Sequence, residues 1–240
     1  DVLAELIVAA INRQALRADS SVPVLVVAQK VVSKAEGRLV YLRDVEVSDD
    51  ARRLAEEAGK DPRVVELILQ ESQSVIRVRP GLIITEHRTG HILANAGIDA
   101  SNTGVDAATG DDVVLLWPQD PDASARAVSE AVSGALGYPV PVVINDSLGR
   151  PWRMGTVGFA IGVAGLEPVW DQVGERDLDG RTMQVTAPAM ADALAAAASL
   201  VQGETDQGTP VVWAEGCPLR VNEQASSRAL LRPVQQDMFR

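Results

Sequence analysis

Apolar positions at Val2, Leu3, Leu6, Ile7, Ala10 and Ile11 recur at helical spacing, and the β-branched run over residues 22–28, entered through Pro23, has the density of a buried strand. Residues 52–59 and 64–72 read as two helices parted by Lys60-Asp61-Pro62, with Asp61 as the cap of the second and Pro62 at its first position. Residues 74–78 and 82–85 read as strands joined through Pro80-Gly81. The stretch 95–112 is rich in Gly, Ala, Ser, Asn and Asp, which is turn chemistry, and leads into a strand at 113–116. A helix follows over 121–136, with Ala125, Val128, Ala131, Val132, Ala135 and Leu136 on its buried side. A strand over 140–144 then ends in the polar turn Asn145-Asp146-Ser147. Residues 156–163 read as a strand, 188–201 as an Ala-rich helix ending at Gln202-Gly203, and 211–214 as a final strand before a polar tail at 215–240. Helices and strands without strict β-α-β alternation point to an α+β fold with a mixed sheet rather than a doubly wound one.

Composition narrows the function classes. With 46% hydrophobic and 23% charged residues the 240-residue chain is a folded protein, read as a single domain over 1–240. A net charge of -11 repels a nucleic-acid backbone, so any phosphate it binds belongs to a small molecule and needs a metal ion or a local basic cluster beside it. The lone Cys217 excludes an intrachain disulfide and a multi-Cys zinc site, and two histidines, His87 and His91, exclude a His-rich one. The chain has neither an apolar run of roughly 20 residues nor a secretory pattern at its start, so neither a membrane span nor export is expected, and the cytoplasm is the default compartment. It opens at Asp1 without a methionine, and an N-terminal piece is expected to lie outside it.

Neither G-x-x-x-x-G-K-[ST] nor a strand-bound G-x-G-x-x-G is present. Carboxylates and a hydroxyl do lie in turn-like segments: Asp99, Asp146 with Ser147, and Glu204. These are the hard oxygen donors that Mg²⁺ and Mn²⁺ take. On spacing alone, an acid in a Gly/Asn/Ser loop is more often an Asx turn or a helix cap. Two basic clusters, Gln29-Lys30-Val31-Val32-Ser33-Lys34 and Arg150-Pro151-Trp152-Arg153, suit phosphate or carboxylate binding; the residues alone favour a solvated face for the lysines and give equal weight to an arginine stacked on Trp152. His87 and His91 read as satisfied surface histidines, and Cys217 as structural.

Taken together, residues 28–37, 95–102, 118–125, 145–153 and 160–165 keep the order and approximate spacing of one family, and the chain resembles the coenzyme F420-0:L-glutamate ligases, GTP-dependent γ-glutamyl ligases of deazaflavin cofactor biosynthesis. The resemblance implies an unusual α+β fold in an intertwined homodimer. It implies a divalent site of two Mg²⁺ or Mn²⁺ ions, with ligands falling on Asp99, Asp146, Ser147 and Glu204, and K⁺ as a further activator. It also implies GTP contacts at Gln29, Lys30, Lys34 and Asn102 and along residues 202–209, here Gln202, Gly203 and Thr205 above all. Arg150 and Arg153 would hold phosphates or the anionic substrate, F420-0, while L-glutamate supplies the amine.

Three departures stand out. The family's Pro-containing N-terminal segment is missing from this sequence; its Asp-Thr-Phe/Tyr-Gly-Arg-Pro reads Asp146-Ser147-Leu148-Gly149-Arg150-Pro151; and the loop 103–112 looks longer than typical. A relative recruited to join another amine and carboxylate, and a nucleotide- or metal-binding protein without turnover, are the alternative readings. Within the ligase reading, the resemblance also allows the chain to be one module beside a flavin-binding domain.

Overall fold

The structure, a computed structural model, describes residues 2–18, 21–104, 110 and 112–238. In chain order its elements are helix α1 (Val2–Arg13), strand β1 (Val24–Ala28), helix α2 (Gln29–Ala35), strand β2 (Leu39–Tyr41), helices α3 (Asp49–Ala58) and α4 (Pro62–Gln70), strands β3 (Ser72–Arg79), β4 (Leu82–His87), β5 (Ile92–Ala94) and β6 (Val113–Leu115), helix α5 (Pro121–Leu136), strands β7 (Val142–Arg150) and β8 (Arg153–Leu166), helix α6 (Met190–Gln202), and strands β9 (Val211–Ala214) and β10 (Val221–Asn222). They divide into two compact units: residues 1–28, 121–147 and 157–232 form the first, and residues 29–120, 148–156 and 233–240 the second.

The first unit is built on a mixed sheet of order β10-β8-β7-β1-β9. Strand β1 runs parallel to β7, with Ala28 opposite Asn145, and antiparallel to β9, with Val24 opposite Ala214. Its core joins Val24, Val26, Val143, Ala160 and Val163 to Ala191, Leu194, Ala195 and Ala198 of α6. Each fully buried valine contributes roughly 1.5 to 3 kcal/mol. The alanines of α6 let the helix close on the sheet, and a Cβ at Gly158 of β8 would overlap the Ala195 carbonyl. The polar stretch after residue 214 is anchored by buried Asp122, which accepts from Val163 N (2.8 Å), Ser227 N (2.9 Å) and Ser226 Oγ (2.7 Å).

The second unit packs α3 and α4 on the antiparallel sheet β3-β4-β5 through Ala51, Ala55, Ala58, Val65, Ile68, Ile83 and Ala96, and pairs β2 with β6. Its punctuation is the one expected: Gly59 ends α3 in the left-handed conformation, and Asp61 caps α4 by accepting from Arg63 N at 2.8 Å, with Pro62 in the first turn.

Two expectations are corrected. Strand β7 does not stop before Asn145-Asp146-Ser147 but carries these polar residues on to Arg150, and the chain reverses at Pro151-Trp152. On α5, Ala125, Val128 and Val132 are buried as expected while Ala131 and Ala135 are exposed, because alanine sits on either face and marks none. Among the described residues no helix is long and apolar enough to cross a membrane.

Candidate active site

Asp99 stands at the end of a strained turn. Asn95 (φ 52°), Ala96 (φ 52°) and Gly97 (φ 69°) are successively left-handed, a conformation that costs a residue with a Cβ about 1 kcal/mol or more. Packing holds it: Asn95 Oδ1 accepts from Ile83 N (3.2 Å), Ala96 is buried, and Gly97 lies against the indole of Trp117 with no room for a Cβ. The backbone then locks onto β6, with Asp99 N donating to Leu115 O (3.0 Å) and Leu115 N to Asp99 O (2.8 Å). The side chain is met from α2: Gln29 Nε2 lies 2.6 Å and Lys30 Nζ 2.8 Å from Asp99 Oδ2. Buried Ser33 donates to Gln29 Oε1 at 2.8 Å. Lys34 is exposed, its amine beside Gly104; Asn102 is exposed and left-handed (φ 53°), as asparagine tolerates. Of the loop expected to be long, residues 105–109 and 111 lie outside the described residues.

Behind Trp117 lies a buried charge network that corrects the reading of the histidines as surface groups. His87 and His91 are both buried and their rings pack on Trp117 at 5.0 and 5.5 Å. Thr89 N donates to His87 Nδ1 (3.1 Å), so the ring proton sits on Nε2, which faces Glu71 Oε2 at 3.4 Å, the limit of hydrogen-bond reach. Burial pushes the His87 pKa below the ordinary histidine value, against the pull of Glu71. Burial would raise Glu71, but His87, Arg38 (2.7 Å) and Arg88 (3.1 Å) outweigh it and bring its pKa down to about 2. The same arginines hold the backbone beyond β6: Arg38 Nε donates to Trp117 O (2.9 Å) and Arg88 to the carbonyls of Pro118 and Gln119.

In the first unit, Asn145 and Gln202 form a buried amide pair. Asn145 Nδ2 donates to Gln202 Oε1 (2.7 Å), and Gln202 Nε2 returns a bond to Asn145 Oδ1 (3.2 Å). The pair joins the segment that continues into Asp146 and Ser147 to the one that continues into Gly203 and Glu204. Asp146 Oδ1 accepts from Ser147 N (2.8 Å); Glu204 is exposed. Gly203 is left-handed (φ 67°), and the Gln207 side chain fills the space a Cβ would need, while Gln207 Oε1 accepts from Thr205 N (2.9 Å).

At the β7–β8 turn Arg150 donates to Met154 O (3.2 Å), and its Nε is buried with no hydrogen-bond partner among the described residues. An unspent guanidinium N–H suits an anion. Trp152 is left-handed (φ 56°) and 83% exposed, and Arg153 is exposed.

Among the described residues no three His, Cys, Asp or Glu side chains converge as a metal cluster. Asp99 belongs to the second unit, and Asp146, Ser147 and Glu204 to the first. The donor chemistry nevertheless fits Mg²⁺ or Mn²⁺, for all four are oxygen ligands and Asp99 is held with one oxygen engaged. Sequence reading missed Glu71 and Asn145 as partners, because nothing in spacing couples residues so far apart along the chain, and Ser33, four residues from its partner Gln29, because the short helix that joins them was not read.

Comparison with known proteins defines the class first. The chain is 44% identical over 244 residues, all of this chain and 93% of the relative, to the coenzyme F420:L-glutamate ligase of Methanothermobacter thermautotrophicus. It is 46% identical over 220 residues to that of Methanopyrus kandleri (90% of this chain, 85% of the relative) and 38% over 217 residues to that of Archaeoglobus fulgidus (90% and 84%). The chain is an enzyme, a ligase. The family model described as F420-0:Gamma-glutamyl ligase matches residues 1–216, and the chain belongs to that family.

Proposed function

We propose that this chain adds L-glutamate to coenzyme F420-0 through an amide bond, driven by GTP. The observation that carries this reading is the 44–46% identity, over nearly the whole chain, to relatives named for glutamate ligation to F420. A carboxylate is a poor acyl donor, so the GTP γ-phosphoryl passes to a carboxylate oxygen of F420-0 and GDP departs. The glutamate nitrogen then attacks the acyl carbon, phosphate leaves with the C–O electron pair, and the nitrogen gives up its proton. No protein nucleophile is required.

Asp99 of the second unit, and Asp146, Ser147 and Glu204 of the first, would each supply oxygen donors to one or two Mg²⁺ or Mn²⁺ ions, which would neutralise charge on the phosphates. Lys30, Lys34 and Asn102, with Gln202, Gly203 and Thr205, bind the nucleotide, and Gln29 steadies that group. Arg150, whose buried Nε is unspent, and Arg153 hold the transferring phosphoryl group or the anionic acceptor. K⁺ as an activator, a homodimeric assembly and action in the cytoplasm belong to the same reading.

The test is an assay of the purified chain with GTP, Mn²⁺, L-glutamate and F420-0, following GDP release and product mass. A gain of one or more glutamyl units is the expected result. GDP release without that gain would favour another amine or acid as substrate, for which Leu148 in place of the family's aromatic gives a specific reason. The absence of both GDP and product would overturn the proposal.

A further inference from the structure

Gln29 and Lys30 address the same oxygen of Asp99. Gln29 Nε2 and Lys30 Nζ stand 2.6 and 2.8 Å from Oδ2, and Oδ1 accepts no hydrogen bond from the described residues. Gln29 is 1% exposed and Ser33 is fully buried, so neither has solvent as an alternative partner. Ser33 Oγ donates to Gln29 Oε1 at 2.8 Å. With its carbonyl so engaged, the Gln29 amide has only its NH₂ to turn toward Asp99; reversed, it would set one oxygen against another that carries negative charge. The order Ser33, Gln29, Asp99 is therefore directional, and its two donors sit one turn apart on α2, a fixed base for the contact.

We propose that Gln29, oriented by Ser33, together with Lys30, are positioning residues that confine Asp99 to coordination through Oδ1 alone, and that this favours Mg²⁺ or Mn²⁺ over Ca²⁺. The inference rests on the reading of Asp99 as a metal ligand. Ca²⁺ takes six to eight oxygens and accepts both oxygens of one carboxylate, whereas Mg²⁺ demands a near-octahedral set at short distance. A carboxylate with both oxygens free can swing into the two-oxygen bite that suits the larger ion. One whose Oδ2 is held by an amide and an ammonium cannot. Lys30 also lowers the negative charge at the site, so its removal tightens every divalent ion; the ratio between ions, rather than either affinity, reports the bite.

The experiment measures Mn²⁺ binding to the full chain from the electron paramagnetic resonance of free Mn²⁺, with Ca²⁺ as competitor and GDP held constant. Gln29→Met removes the donor without changing charge, and the Ca²⁺-to-Mn²⁺ affinity ratio is expected to rise about tenfold, in the range seen when partners of metal ligands are removed. Ser33→Ala shifts it the same way by less, and has no further effect in the Gln29→Met background, because it acts only through that amide. An unchanged ratio in Gln29→Met, or a Ser33→Ala effect that simply adds to it, overturns the proposal. Should Gln29→Met fail to fold, Lys30→Met at its partly exposed position carries the same expectation for the ratio and the same failure. Asp99→Asn separates the two levels. If it leaves Mn²⁺ binding intact, Asp99 is no ligand and the reading beneath falls; if it abolishes binding while the other variants keep the wild-type ratio, this inference alone falls.

Discussion

The side-chain amides of Asn145 and Gln202 bond to each other in both directions, buried between a strand and the end of a helix. Each satisfies the other where water does not reach, so losing one partner strands the other's carbonyl oxygen and leaves its NH₂ only longer bonds to backbone carbonyls, Ala195 O for Asn145 (3.4 Å) and Val26 O (3.5 Å) or Pro210 O (3.4 Å) for Gln202. Gln202→Leu should lower stability by about 2 kcal/mol in urea unfolding, and Asn145→Leu by a similar amount. The double variant should be less destabilised than the two single losses summed. Strict additivity would mean that the pair contributes nothing as a pair. Asn145 precedes Asp146 and Gln202 precedes Gly203-Glu204, so both single variants should also lose metal-dependent turnover.

Gly97 is irreplaceable on two counts. Its φ of 69° is costly for a residue with a Cβ, and that Cβ would overlap the Trp117 indole. Gly97→Ala is expected to cost about 2 to 4 kcal/mol, the sum of left-handed strain and overpacking. Thermal unfolding checks it, and Trp117→Phe in the same chain should restore part of the loss by opening the contact. A midpoint within a degree of wild type would refute the close approach.

How far the sequence disclosed this arrangement depends on what kind of signal each part carries. Helices α3 and α4 were legible because Asp61, Pro62 and Gly59 mark their ends chemically, and α5 because its apolar stripe is long. Helix α2 was not, since Gln29 to Ala35 spans only two turns and carries the β-branched pair Val31-Val32. The continuation of β7 through Asn145, Asp146 and Ser147 was read as a turn because polar residues imitate turns wherever a strand carries chemistry. The partners that hold Asp99 were even less visible: Gln29, Lys30 and Ser33 read as a solvated basic cluster until the fold brings residue 99 beside them. The burial of His87 under Trp117 likewise depends on a strand-to-loop contact that no local period announces.

Acid should unfold the chain in two stages. His87 has a pKa lowered by burial, so the unfolded chain binds its proton first as pH falls below about 6.5, and stability drops from there. Glu71 is depressed from 4.5 to about 2, so the stability it contributes is present above pH 4.5 and is lost as pH falls toward 2. Its share is at most about 3 kcal/mol, from the size of that shift. Calorimetric midpoints from pH 8 to pH 2 should therefore fall with two inflections. Glu71→Gln should be less stable at neutral pH and lack the lower one. If the variant kept the lower inflection, another carboxylate would be responsible.

Asp146 allows the chemistry to be separated from the fold. Its Oδ1 accepts a hydrogen bond from the adjacent Ser147 N at 2.8 Å, and the side chain is partly exposed. Asparagine can keep that acceptor in place while removing the negative charge that a divalent ion needs. Asp146→Asn should leave the thermal midpoint within a few degrees, since an isosteric change at a partly exposed position costs on the order of 0.5 kcal/mol. Turnover with Mn²⁺ should fall by on the order of a hundredfold, as expected when a ligand to a catalytic ion loses its charge. Raising Mn²⁺ should recover part of the activity if the loss is one of metal affinity. Undiminished turnover at low Mn²⁺ would remove Asp146 from the ligand set and leave Asp99 and Glu204 to be tested in its place.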